Sequence, residues 1–328
     1  MPPLARRDVR NLVRKLGASA RPSQQREALD TIAVLIFNGD SVGLAVSASA
    51  GAVPPLVQLL GAGTSAGVQM QAAEALGNLA YASETTVNIA AAGAIPPLVQ
   101  LLRSGSSSSG MQARAAAALT NLAQNADNKI MIALAGAIPP LVQLLGAGCS
   151  AAVLENAAAA LAQLTQNADN KVTIAAAGAI PALVQLLGAG CSADVQQSAA
   201  AALHNLAENA ANQVNIAAAG AIPPLVQLLG AGSSAAVQEN AAGVLSYLAQ
   251  NVDNQVTIAA ANAIPPLVQL LGAASPATVQ RNAAAALSNL ARSVDNKVTI
   301  AAASAIPPLV QLLGLHLQLP CSGMQQQY

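Results

Sequence analysis

The phrase Ile-Pro-Pro-Leu-Val-Gln-Leu-Leu begins at Ile95, Ile138, Ile222, Ile264 and Ile306, and variants begin at Val53 and at Ile180, where Ala182 replaces the second proline. The first prolines, Pro54, Pro96, Pro139, Pro181, Pro223, Pro265 and Pro307, are spaced by 42, 43, 42, 42, 42 and 42 residues. Thirteen of the 18 prolines lie inside this phrase. A unit that short cannot bury its own apolar faces, so consecutive units must stack into a continuous array.

Each period resolves into three helices. The first is short, as in Asp169 to Ala177, with an Asp/Asn pair expected to supply the N-cap. Gly178 ends it, and the equivalent residues are Gly93, Gly136, Gly220, Asn262 and Ser304. Gly and Asn tolerate a left-handed backbone, so a sharp corner is expected, one that Ser304 fits less well. The second helix is the proline phrase. Proline suits a first helical turn because the amide it lacks has no partner there. The third helix is the longest, for example Ser234 to Asn251. Val237, Ala241, Ala242, Val244, Leu245 and Leu248 recur there at helical steps and predict one buried stripe.

The capped short helix, the turn glycine, the Ile-Pro-x-Leu-Val-x-Leu-Leu helix and the ending Ala75-Leu76-Gly77-Asn78-Leu79-Ala80 resemble the armadillo-repeat family over nearly the whole chain. The resemblance implies an all-α, right-handed superhelical solenoid with three helices per repeat. Ankyrin, tetratricopeptide and leucine-rich periods are too short to fit. In style the repeats are most similar to the armadillo regions of plant U-box ubiquitin ligases and of vacuolar armadillo adaptors, although no U-box is present.

The ends differ from the middle. Val9 to Leu16 matches the second helix without its prolines, and a third helix from about Ser23 to Phe37 follows in register. Residues 1–37 therefore read as an N-terminal half repeat acting as a polar cap. Residues 38–313 read as six full repeats plus a final half repeat, and 314–328 as a disordered tail. The N-terminal cluster Arg6, Arg7, Arg10, Arg14, Lys15, Arg21 and Arg26 also admits an organellar transit signal as the lesser alternative. Leu309, Val310, Leu312 and Leu313 would leave an apolar C-terminal end. That end suggests a fragment of a longer protein or self-association.

Composition narrows the function. Charged residues are 9% and the net charge is zero, which gives no field to steer the chain toward nucleic acid. The longest uncharged run, between Asp40 and Glu74, is interrupted by prolines, glycines and serines, so no membrane-inserting segment is expected. Cys149, Cys191 and Cys321 form no CxxC and meet only two histidines, His204 and His316. A disulfide framework and a zinc site are thus disfavoured, and a reducing compartment, cytoplasmic or nuclear, is favoured. Cys149 and Cys191 stand where other copies carry Thr64 or Ser233, near a helix start where a side-chain acceptor is wanted.

No phosphate loop, dinucleotide fingerprint or HExxH is present, so no catalytic residue, cofactor or metal is assigned. His204 occupies a position held by Gly77, Thr120, Ala162, Ser246 and Ser288 in other copies and reads as a half-exposed surface residue. Glutamines 58, 100, 143, 185, 227, 269 and 311 read as a polar edge of the second helices. The candidate binding row is Asn78, Asn121, Gln163, Asn205, Tyr247 and Asn289, one residue per third helix. The resemblance implies that third helices line a concave groove, and that amides in this row hold an extended peptide's backbone. An amide both donates and accepts, which matches one peptide unit. Arg114, Asn156, Asn240 and Asn282, farther back on the same helices, complete the candidate peptide-binding set.

Family members that bind nuclear-localisation signals carry tryptophans four residues before the row. Here those positions are Glu74, Ala117, Ala159, Ala201, Gly243 and Ala285. The expected partner is therefore a protein segment of neutral or mixed charge. The expected function is a non-enzymatic scaffold or adaptor. The alternatives are a substrate-recognition fragment of a U-box-type ligase and an element that self-associates through its C-terminal end.

Overall fold

The computed structural model describes residues 6–17, 20–37, 51–81, 83–103, 108–146 and 148–317, and every regular element among them is helical. They divide into two units, 1–183 and 184–328, the division falling in the helix Ala179–Gln185. The first helix expected ahead of Val53 and most of the expected tail lie outside the described residues.

In the first unit, Arg6–Lys15 packs on Pro22–Phe37, which in turn packs along Ala66–Leu79 in the manner of a third helix. Lys15 joins the two N-terminal helices through an ion pair to Glu27 at 3.3 Å. Three third helices, Ala66–Leu79, Ser109–Leu122 and Ala151–Leu164, then stack in succession. The second unit stacks Ala193–Ala207, Ala235–Leu248 and Ala277–Leu290 in the same way. Its last element, Ile306–Leu317, continues past Leu313 to Leu317. The stacked stripe is aliphatic, with Ala72, Leu76, Ala115, Leu119, Ala157, Leu161, Ala241, Leu245 and Leu248 all fully buried. Small residues let the helices approach closely. A side-chain carbon on Gly77 would come within 3.2 Å of the Ala118 Cα.

The proline phrase does what its chemistry dictates. In Val53–Leu59, Ile138–Gln143, Ile222–Leu228 and Ile264–Gln269 the prolines occupy the second and third helical positions, within the first turn. The glutamines of the phrase, Gln58, Gln100, Gln143, Gln185, Gln227, Gln269 and Gln311, are exposed. A second set of glutamines closes the other end of these helices. Gln69 Nε2 donates to the carbonyls of Leu60 and Gly61, at 3.2 and 2.8 Å, and Gln196 and Gln238 repeat this on Leu187–Gly188 and Leu229–Gly230. The last carbonyls of a short helix have no partner inside it, and a side-chain amide serves them in these repeats, whereas Leu154 holds the equivalent position after Ile138–Gln143.

The corner is left-handed in each copy described. Gly93, Gly136, Gly178 and Gly220 have φ of 83°, 76°, 78° and 79°, while Asn262 and Ser304 hold φ of 60° and 61°. Ser304 thus carries a side chain in a conformation that favours glycine.

Two local expectations are corrected. Asp169 and Asn170 lie inside the helix Ala168–Ala176, and its N-cap is Asn167, whose side chain accepts from the Asn170 amide at 3.1 Å. Asn125, Asn209 and Asn251 cap their helices in the same manner. The buried Asn170 instead donates to the Lys129 carbonyl of the preceding first helix, at 3.1 Å. Likewise Cys149 and Cys191 precede the cap positions, which Ser150 and Ser192 occupy. The Ser192 hydroxyl accepts from the Val195 amide at 3.4 Å, whereas Ser150 makes no such bond.

Candidate functional site

The row at the end of the third helices keeps its register within each unit. Asn78, Asn121 and Gln163 lie on the successive stacked helices of the first unit, and Asn205, Tyr247 and Asn289 on those of the second. All six are half-buried.

The amides are not loose rungs. Asn121 Nδ2 donates to the Gly77 carbonyl at 2.9 Å, and Asn289 Nδ2 donates to the Ser246 carbonyl at 2.9 Å. Both carbonyls belong to the last turn of the preceding third helix. In Ala66–Leu79 the closing amides go to neighbouring carbonyls, Ala80 N to Leu76 O and Tyr81 N to Asn78 O, so the Gly77 oxygen needs a partner from elsewhere. The same pattern leaves Ser246 to Asn289, since Ala249 N takes Leu245 O and Gln250 N takes Tyr247 O. Each asparagine therefore spends one N–H on tying two repeats together. A side-chain amide has two N–H groups and an acceptor oxygen, so a second N–H and Oδ1 remain.

The residues farther back are tied down as well. Asn156 and Asn240 donate to carbonyls one turn earlier on their own helices, Ala152 at 2.7 Å and Ala236 at 2.9 Å. Asn282 reaches the preceding helix, donating to the Glu239 carbonyl at 2.9 Å. Arg114 forms an ion pair with Glu74 of the preceding third helix, Nε to Oε2 3.2 Å, with both side chains about two-fifths exposed. The sequence singled out each of these residues, but the partners that hold them were not visible in it.

Tyr247 is the one member of the row among the described residues that has no amide. Its ring meets His204 edge-on, with centroids 5.5 Å apart and an interplanar angle of 72°. The imidazole lies directly over Gly243, where any β-carbon would collide with Nδ1. Glycine in place of the alanine of other copies thus makes room for the ring. His204 is half-buried and packed, and its chemistry here is contact between rings. Glu239 accepts from the Thr278 hydroxyl at 2.7 Å close to Asn282. Among the described residues no three acidic, cysteine or histidine side chains cluster to hold a metal ion. No single helix among them is long and apolar enough to cross a membrane.

Comparison with known proteins agrees with this architecture. The chain matches the Armadillo/beta-catenin-like repeat family over residues 45–81, 83–124, 125–166, 167–208, 209–250 and 251–292. A search of curated proteins gives no match. Among solved structures, an engineered protein superposes with a TM-score of 0.81 at 33% identity, over 93% of this chain and 74% of its own. A designed armadillo repeat protein gives 0.66 at 33% identity, over 73% of this chain and 99% of its own. Another, solved in complex with the peptide (KR)4, gives 0.63 at 32% identity over 73% and 99%. The six repeat matches and the three-helix units together show that this chain belongs to the armadillo-repeat family.

Proposed function

We propose that the chain is a non-enzymatic scaffold that holds an extended segment of a partner protein along the third-helix face. The observation that carries this reading is the row at one position per repeat, an amide in every copy but that of Tyr247, with Asn121 and Asn289 each anchored through one N–H to the preceding helix. An anchored amide presents its remaining donor and acceptor in a fixed direction, which lowers the entropic cost of gripping a peptide backbone. A structural neighbour, a designed armadillo repeat protein, was solved with the peptide (KR)4, and this supports a peptide as the ligand class.

The partner differs from a purely basic peptide. Glu74 is already neutralised by Arg114, and Glu239 is engaged by Thr278. Ala117, Ala159, Ala201 and Ala285 offer no aromatic walls for lysine stems, so a neutral or mixed segment fits best. A reducing home, cytoplasmic or nuclear, suits the free thiols of Cys149 and Cys191.

A random-peptide display selection on the intact chain tests this, run beside a variant with Ala117→Lys and Ala285→Lys. Lysine side chains at these half-buried alanine positions obstruct the face without removing an inter-repeat hydrogen bond. Enrichment of an extended motif on the wild type alone is the expected outcome. Equal enrichment on both, with the variant shown to fold normally, would move the binding surface elsewhere.

A further inference from the structure

The first helices carry an apolar face that the fold leaves uncovered. In the first unit Ser83–Ala91, Ala126–Leu134 and Ala168–Ala176 lie side by side. Asn128 Nδ2 donates to the Thr86 carbonyl at 3.3 Å, and Asn170 Nδ2 to the Lys129 carbonyl at 3.1 Å. Their inner sides are closed by Ile89, Ile132 and Ile174, each 0% exposed. Two residues earlier on each helix, and so on the opposite side, stand Val87, Ile130 and Val172 at 52%, 44% and 63% exposure. Leu134, one turn beyond Ile130, is 82% exposed, and Ala91, Ala126, Ala168 and Ala176 extend the same face. An apolar ridge therefore crosses three helices at the repeat spacing. Scattered exposed valines need no explanation, but a register kept from helix to helix does.

The ridge has charged edges of opposite sign. Glu84, Asp127 and Asp169 lie three residues before Val87, Ile130 and Val172, about 60° to one side of the ridge, and all three are exposed. Lys129 and Lys171 lie one residue before Ile130 and Val172, about 100° to the other side. Lys129 gives one N–H to Gln166 Oε1 at 2.6 Å, which leaves two of its three donors. Turning a copy of this surface by half a revolution about the direction of the first helices, through Ala126–Leu134, sets ridge on ridge and acidic edge on basic edge. The repeat spacing matches automatically, because both sides are the same sequence.

From this self-complementarity we infer that the first helices between Glu84 and Ala176 form a two-fold interface with a second copy of this chain. The net charge of zero adds no long-range repulsion. The corresponding face of the second unit, with Val214, Val256 and Val298 at 54%, 66% and 69% exposure, is apolar too. Its edges carry Asp253 and Asp295 but only Lys297 on the basic side, so it lacks the alternation that recommends the first unit.

Sedimentation velocity of the full chain over a range of concentrations tests the interface. The wild type is expected to form a concentration-dependent dimer. Ile130→Asp with Leu134→Asp should weaken it about a hundredfold, since two-fold symmetry removes each contact twice. Circular dichroism checks that this variant is folded, and Leu134→Gln serves if it is not. Asp127→Lys with Asp169→Lys should weaken the dimer about tenfold at low salt. Adding Lys129→Asp and Lys171→Asp should restore it, because each rung again has one charge of each sign. A monomer at every concentration would overturn the inference. So would a dimer broken by Ile306→Asp with Val310→Asp but not by the ridge variants, or a charge swap that fails to restore association.

Discussion

The third helices and the first helices of the first unit use their polar and apolar residues in opposite ways. On the third-helix face the polar groups are part of the fold: Asn121 closes the Gly77 carbonyl, Asn156 bonds to its own helix, and Arg114 pairs with Glu74. On the first helices Val87, Ile130, Leu134 and Val172 are exposed and lie outside the buried core. A row that is both structural and presented to solvent is preorganised for a ligand. An apolar ridge with no structural use marks a surface that gains by being covered.

Substitutions on the two surfaces should therefore separate cleanly by chemical denaturation. The largest loss is expected on the third-helix side from Gly77→Val, because the added carbons meet the Ala118 backbone, which cannot rotate away; the cost is about 3 kcal/mol. Next comes Asn121→Ala, which leaves the Gly77 carbonyl without its donor and should cost about 1–2 kcal/mol. Val172→Asp on the ridge should change stability by no more than about 0.5 kcal/mol. Equal losses from Asn121→Ala and Val172→Asp would erase the distinction between the two faces.

An effect smaller than that of Asn121→Ala sharpens the comparison at the corner between first and second helices. Ser304→Gly should stabilise the chain by about 1 kcal/mol, since φ of 61° is unfavourable for a side chain, and Gly178→Ala should destabilise it by a similar amount. The smallest effect concerns Lys129. Burial lowers its pKa below the ordinary 10.5, so the unfolded chain holds this proton more tightly than the folded one. Stability should then rise with pH in the window between the lowered value and 10.5, and Lys129→Met should lack that increment in parallel titrations.

The sequence was most informative where one residue type had one use. Proline at a helix start and glycine at a left-handed corner leave little choice, and both were legible before any coordinates. It was less informative where two positions share a chemistry. Val172 and Ile174 are both β-branched and apolar, yet one is 63% exposed and the other fully buried, because only the stacking direction decides which side of so short a helix is covered. The asparagines illustrate the same limit. Asn167 caps, Asn170 bridges two first helices, and Asn121 closes a third helix, three different uses of one side chain. A once-per-repeat amide fits a peptide ladder and an inter-repeat tie equally well in sequence. The structure shows the tie at Asn121 and Asn289, where one half of the amide, a single N–H, is spent and the other half is not.

That second half is what the proposed function depends on. The most direct measurement is the set of side-chain amide resonances of Asn78, Asn121, Asn205 and Asn289 in 15N-labelled protein, followed by NMR while a selected peptide is added. Shifts in these resonances, with Asn170 on the first helix unmoved, are the expected result. Unmoved third-helix amides, together with shifts confined to the first helices or to Ile306–Leu317, would contradict peptide binding on this face.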